Sequence, residues 1–145
     1  VKFSHVALNC ANPRATADFY VSFFGFSLSR VFDLGEGKQL IFLRNGDALL
    51  ELFQAEGVGE PLQNDGPAER GVLRHLAFQV DDVDATLTKL GSHAPVTLGP
   101  VDFDAFIPGW RTVWVRDPDG NIVEISQGYT DDPKLLQETL TGDTA

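Results

Sequence analysis

The segment FSHVALN (residues 3–9) decides the fold, because its histidine returns 70 positions later in VLRHLAFQV (72–80). Both stretches alternate as strands do. In the first, Phe3, His5, Ala7 and Asn9 take one face, with Ser4, Val6 and Leu8 on the other. In the second, His75 stands opposite Leu76, Phe78 and Val80.

A helix signal follows each strand. Asn12 offers a side-chain cap and Pro13 suits the first helical position, and the apolar stripe of ATADFYVSFFG stops at Gly25. In the second half Asp81 or Asp82 caps VDATLTKL, which ends at Gly91. Strands are then expected near 27–34, 38–44 and 47–54, the last two joined by a hairpin at Asn45-Gly46. Their counterparts fall near 95–98, 111–117 and 121–127, with a tight turn at Asp117-Pro118-Asp119-Gly120 joining the final pair. Residues repeat as well as elements. Ala15-Thr16 answers to Ala85-Thr86, again 70 apart, while Glu51 and Gln54 answer to Glu124 and Gln127 at an offset of 73.

The reading is therefore an α+β chain with one domain over residues 1–127. It comprises two βαβββ modules (3–54 and 72–127), a Gly-rich linker (55–71) and a C-terminal tail (128–145). The tail is expected to hold one helical turn between Pro133 and Leu140 and then to fray. Neither module can bury its sheet alone. The expected architecture is a pair of modules whose curled mixed sheet surrounds a cavity, with the leftover apolar faces favouring a homodimer.

Composition narrows the partners. With 11 basic and 21 acidic residues, the net charge of −10 argues against a nucleic-acid or polybasic membrane partner. No apolar run reaches the length of a membrane span, and no secretion signal opens the chain, so a cytoplasmic location is expected. A small-molecule partner fits better. Cys10, the single cysteine, reads as a small buried hydrophobe, and His93 as a solvent-exposed turn residue.

Strand parity defines a candidate site. His5, Glu51, His75 and Glu124 all project from faces opposite the greasier residues; Glu51 lies between Leu50 and Leu52, and Glu124 between Val123 and Ile125. A buried carboxylate is costly unless paired, hydrogen-bonded or ligating. Two imidazoles and two carboxylates suit one divalent ion, whether Zn, Ni, Co, Mn or Fe, and leave two positions open for a substrate with adjacent oxygens. The competing reading is a buried polar network in an empty binding cavity. Phe42, Phe53, Phe103, Phe106, Trp110 and Trp114 are candidate pocket walls, and Arg111 a candidate anion contact. The stretch DFDAFIPGW (102–110) has the aromatic content of a loop over a cavity mouth.

Taken together, His5, FYVSFFGF (19–26), LLELF (49–53), RHLAFQVDD (74–82) and DPDGNIVEI (117–125) resemble the vicinal oxygen chelate superfamily. That group includes glyoxalase I, methylmalonyl-CoA epimerase, fosfomycin-resistance transferases, extradiol dioxygenases and metal-free bleomycin-binding proteins. The resemblance runs from Phe3 to about Gln127. It implies metal ligation by His5, Glu51, His75 and Glu124, a set similar to that of bacterial glyoxalase I. It further implies a metal-dependent lyase or isomerase acting on a small oxygenated metabolite through a metal-stabilised enediolate. Glu124 is then the first choice of catalytic base and Glu51 its partner. The alternative is a non-catalytic binding or resistance protein that sequesters an aromatic or antibiotic ligand.

Overall fold

A computed structural model describes residues 1–57, 59 and 66–142 of the 145-residue chain. The first module runs β1 (His5–Cys10), α1 (Pro13–Phe24), β2 (Ser27–Asp33), β3 (Gln39–Asn45) and β4 (Ala48–Gln54). The second runs β5 (Leu76–Gln79), α2 (Val83–Leu90), β6 (Val96–Asp102), β7 (Arg111–Arg116) and β8 (Ile122–Gln127), with a short 3-10 turn at Gly91–His93 after α2. A third helix, α3 (Pro133–Thr141), follows.

The helix ends obey local chemistry. The Asn12 side chain accepts from the backbone N–H groups of Arg14 and Ala15, and Pro13 costs α1 nothing because its first N–H groups lack helical partners anyway. Gly25 closes the helix at φ 71°, a left-handed conformation in which a side chain is strained. Asp82, not Asp81, caps α2 through Ala85 N.

Each module builds one four-stranded sheet, ordered β1-β4-β3-β2 and β5-β8-β7-β6. The outer pairs β1–β4 and β5–β8 are parallel and the remaining pairs antiparallel, as a βαβββ unit requires. The repeat read from the sequence is thus a repeat of topology. The two sheets are not joined into one closed curl, however. β1 and β5 each end their sheet, so both histidine-bearing segments lie at sheet edges.

The modules meet through their helix-bearing sides. Leu50, Leu52, Ile41 and Leu43 from one sheet and Val113, Val115, Val123 and Ile125 from the other belong to a single buried cluster. Helix α1 and the residue after its cap knit it together: the rings of Tyr20 and Phe24 on α1 and of Phe26 beyond it pack on Phe78 of β5 at centroid distances of 6.1, 4.8 and 5.8 Å. Polar bonds reinforce the contact. Tyr20 donates its buried hydroxyl to Asp117 Oδ2 at 2.8 Å, and Asp119 accepts from Ala11 N and from the Thr16 hydroxyl.

Several expectations shift in detail. The hairpin between β3 and β4 turns on Gly46 and Asp47, because Asn45 stays paired with Ala48 and donates its side-chain amide to Phe24 O. Strand β6 extends to Asp102, past the expected end at 98, and contains a cis Gly99-Pro100 bond where its register to β7 slips. The tail forms a nine-residue helix instead of one turn, capped by Asp132; the expected fraying falls at 143–145, outside the described residues. Much of the expected linker, 58 and 60–65, also lies outside them. His93 is exposed as expected, yet its ring packs on Phe23 at 5.2 Å. Cys10 is fully buried, and burial first, then the nearby Asp119 carboxylate, pushes its thiol up to about 12. Among the described residues no helix is long and apolar enough to cross a membrane.

Candidate metal and substrate site

The faces turned away from the shared core carry the candidate ligands. In the first module, β4 presents Glu51 beside Ala7 of the parallel β1 and Phe42 of the antiparallel β3. One alternation earlier on β1 stands His5. Its Nε2 lies 3.1 Å from Glu51 Oε2. On the other side of the ring, Ser4 Oγ is 2.8 Å from His5 Nδ1 and fixes the ring orientation. Phe42 completes the group, with its ring edge-on to the imidazole at 6.1 Å.

The second module reproduces the arrangement. Glu124 on β8 sits beside Ala77 of β5 and Trp114 of β7. His75, one residue before β5 begins, places Nε2 2.8 Å from Glu124 Oε2. Both carboxylates are well shielded, at 14% and 13% side-chain exposure, while His5 is more open (39%) than His75 (25%). Among the described residues, the buried His75 Nδ1 has no hydrogen-bond partner. The modules also differ at the carboxylate: Thr112 on β7, fully buried, donates its hydroxyl within 2.8 Å of Glu124 Oε1, with Ile125 O as a second acceptor at 3.1 Å.

The structure therefore brings His5 to Glu51 and His75 to Glu124. It does not gather all four inside one chain. Among the described residues, no cluster of three or more His, Cys, Asp or Glu side chains is arranged to hold a metal ion. The cause is the packing just described, because modules joined through their helix sides turn their ligand faces apart.

The expected pocket walls divide similarly. Phe42 and Phe53 flank Glu51, on the same face of the first sheet. Trp114 and Trp110 stand on either side of Thr112 along β7 and its approach, and Trp110 Nε1 donates to Ser126 Oγ at 3.0 Å. Phe103, Phe106, Trp110 and Tyr129 form an aromatic cluster at that rim, with Phe103 and Trp110 at 4.9 Å. Phe106 is largely exposed. Arg111 lies on the helix side of the second sheet, where Asp102 and Asp84 hold its guanidinium at 2.8 and 3.1 Å. Those two hydrogen bonds also raise its already high proton affinity.

A cleft of about 510 Å³ lies between Ala7–Asn9 on β1 and Arg74–Leu76 at the start of β5, floored by Asp119–Ile122. It opens along the two unpaired sheet edges, with His75 in its wall. Neither Thr112 nor this edge-to-edge cleft was apparent from sequence. A hydroxyl residue two positions before the aromatic partner of each Glu would have been the signal, and only the second module has one.

The family model of the Glyoxalase/Bleomycin resistance protein/Dioxygenase superfamily matches residues 2–125. The chain belongs to this superfamily. The vicinal oxygen chelate resemblance read from the motifs is thereby confirmed for nearly the whole chain. Among curated relatives, the uncharacterized protein YaeR of Escherichia coli (strain K12) is 32% identical over 126 residues, spanning 83% of this chain and 92% of YaeR. Two solved structures agree in fold. A glyoxalase family protein from Enterococcus faecalis superposes with a TM-score of 0.66 at 30% identity, covering 86% of this chain and 96% of its own. A glyoxalase/dioxygenase from Nostoc punctiforme gives 0.69 at 26% identity, over 89% and 92%.

Proposed function

We propose that this protein is a divalent-metal-dependent lyase or isomerase of the glyoxalase type, working as a homodimer. Its ion would be held by His5 and Glu51 of one copy together with His75 and Glu124 of a second. The observation that carries this reading is the pair of His–Glu contacts at matched positions, 3.1 and 2.8 Å long. Two adjacent ligands on an ion with bonds of about 2.1 Å lie about 3 Å apart, so each contact already has the spacing of a ligand pair. Ser4 on His5 Nδ1 leaves Nε2 for the ion, as ligating histidines commonly have their second nitrogen held. One nitrogen and one oxygen per pair suits a borderline metal.

The open edges of β1 and β5 support the dimer. Docking β1 of one copy along β5 of another joins the sheets edge to edge and sets the two ligand pairs face to face. It also brings the second copy beside Phe53, exposed on β4 on the ligand-bearing side of the first sheet. A bound divalent ion would supply positive charge to substrate oxygens as negative charge develops there.

The protein's own groups do the proton work. A carboxylate oxygen of Glu51 or Glu124 takes the proton from the carbon next to the substrate carbonyl and returns it to the neighbouring carbon or the opposite face. Phe42 and Trp114, directly across from the two glutamates, wall the reacting centre and exclude water. Zinc and nickel analysis of protein purified without chelator, alongside light scattering, tests the reading. One ion per chain in a dimer is expected; metal-free protein that also binds no added zinc or nickel overturns it.

The aromatic cluster of Phe103, Phe106, Trp110 and Tyr129 favours a second reading, a metal-free protein that binds an aromatic ligand. Tight aromatic binding that persists in protein unable to take up metal would select it.

A further inference from the structure

The two ligand pairs match in register but differ in what holds each carboxylate. Glu124 is gripped at both oxygens, Oε2 by His75 and Oε1 by the Thr112 hydroxyl at 2.8 Å. Glu51 meets His5 through Oε2, and among the described residues no donor reaches its other oxygen. The register explains the difference. Trp114 pairs with Glu124 and Thr112 with Ser126, two residues along; in the first module Phe42 pairs with Glu51 and Leu40 with Phe53. Leu40 therefore occupies the place of Thr112 and has no hydroxyl to offer. Exposure follows the same line, since Thr112 is fully buried and cannot exchange its carboxylate bond for water.

Resting on the metal reading above, we infer that Thr112 is a positioning residue that fixes Glu124 as the permanent ligand. Glu51, held through one oxygen, is then the carboxylate free to move and serve as base. A bond from a hydroxyl to a charged carboxylate is among the stronger hydrogen bonds and orients the second oxygen along one direction. Held that way, Glu124 presents Oε2 in the geometry His75 shares. Glu51, tethered by one contact beside a half-exposed imidazole, has the freedom that proton transfer requires. This reverses the assignment of roles suggested by family resemblance.

The test is zinc affinity of the full-length dimer, measured by competition with a chromophoric chelator, so that no substrate is needed. Thr112→Val should weaken zinc by roughly 10- to 100-fold, the usual scale for losing a partner of a ligand, with the circular dichroism spectrum unchanged. Thr112→Ser should stay close to the parent. Because Thr112 acts through Glu124, its loss should add nothing to Glu124→Ala but should add fully to Glu51→Ala. Leu40→Thr, which offers Glu51 the missing hydroxyl, should tighten zinc; should Thr112→Val fail to fold, this gain decides the matter. Thr112→Val that binds zinc as the parent does, or equal additivity with both glutamate variants, or no gain from Leu40→Thr, overturns the inference while leaving the metal site standing. A parent protein that takes up no zinc removes the metal reading, and this inference with it.

Discussion

Tyr20 and Asp117 are 97 residues apart in sequence and form the buried polar contact between the modules, which makes Tyr20→Phe an incisive perturbation of their union. The ring stays, so packing against Phe78 and Phe24 is kept and the loss is confined to one O–H donor. That donor bonds a carboxylate at 2.8 Å in a fully buried setting. Hydrogen bonds to charged groups contribute about 1.5–3 kcal/mol. Asp117 keeps three other donors, from Asn121 Nδ2, Asn121 N and Asp119 N, so the lower part of that range applies, about 1.5–2 kcal/mol. Asp117→Ala costs more, about 3–4 kcal/mol, because the Tyr20 hydroxyl is then stranded where water does not reach. In that background Tyr20→Phe should cost nothing further. Urea unfolding of the four proteins at one fixed protein concentration measures the cycle. A Tyr20→Phe loss below about 0.5 kcal/mol, or simple additivity of the two changes, refutes the claim that this bond couples the modules.

Two further outcomes follow from the same region. Burial raises the proton affinity of the Asp117 carboxyl above its ordinary value, with the four donors only partly offsetting it. A raised carboxyl favours folding most below its unfolded pKa of about 4, and that contribution is lost as pH climbs through the folded value. The stability difference between the parent and Asp117→Asn should therefore turn against the parent as pH rises from about 4, and a difference flat with pH contradicts this. Cys10, buried with its thiol pushed up to about 12, should react with a thiol reagent only after urea unfolding; rapid labelling of the folded protein would show that β1 opens far more readily than the core implies.

Much of this molecule was legible because its signals are local. Alternation in FSHVALN and VLRHLAFQV set which side of each strand the histidines take, and Asn12-Pro13, Gly25 and Asp82 marked helix ends through chemistry within a few residues. Spacing then placed Glu51 and Glu124 on the same faces as His5 and His75, as the 3.1 and 2.8 Å contacts bear out. What escaped was non-local. Nothing near Asp117 indicates that a turn residue reaches Tyr20, and nothing near Phe78 says that α1 of the other module packs on it. That contact decides that the modules join through their helix sides, which is why the expected single cavity does not close within one chain. Thr112 escaped for a related reason, since its role depends on strand pairing across β7 and β8.

In the proposed dimer, one copy's His5 and Glu51 share an ion with another copy's His75 and Glu124. Mixed dimers of His5→Ala and His75→Ala chains put that sharing to the test. Each parent homodimer has every site damaged. In the mixed dimer both losses fall on one site, while the other combines an intact first module from the His75→Ala chain with an intact second module from the His5→Ala chain. The prediction is one tightly bound zinc per mixed dimer and none in either homodimer. Mixed dimers that bind no more metal than the homodimers would contradict it.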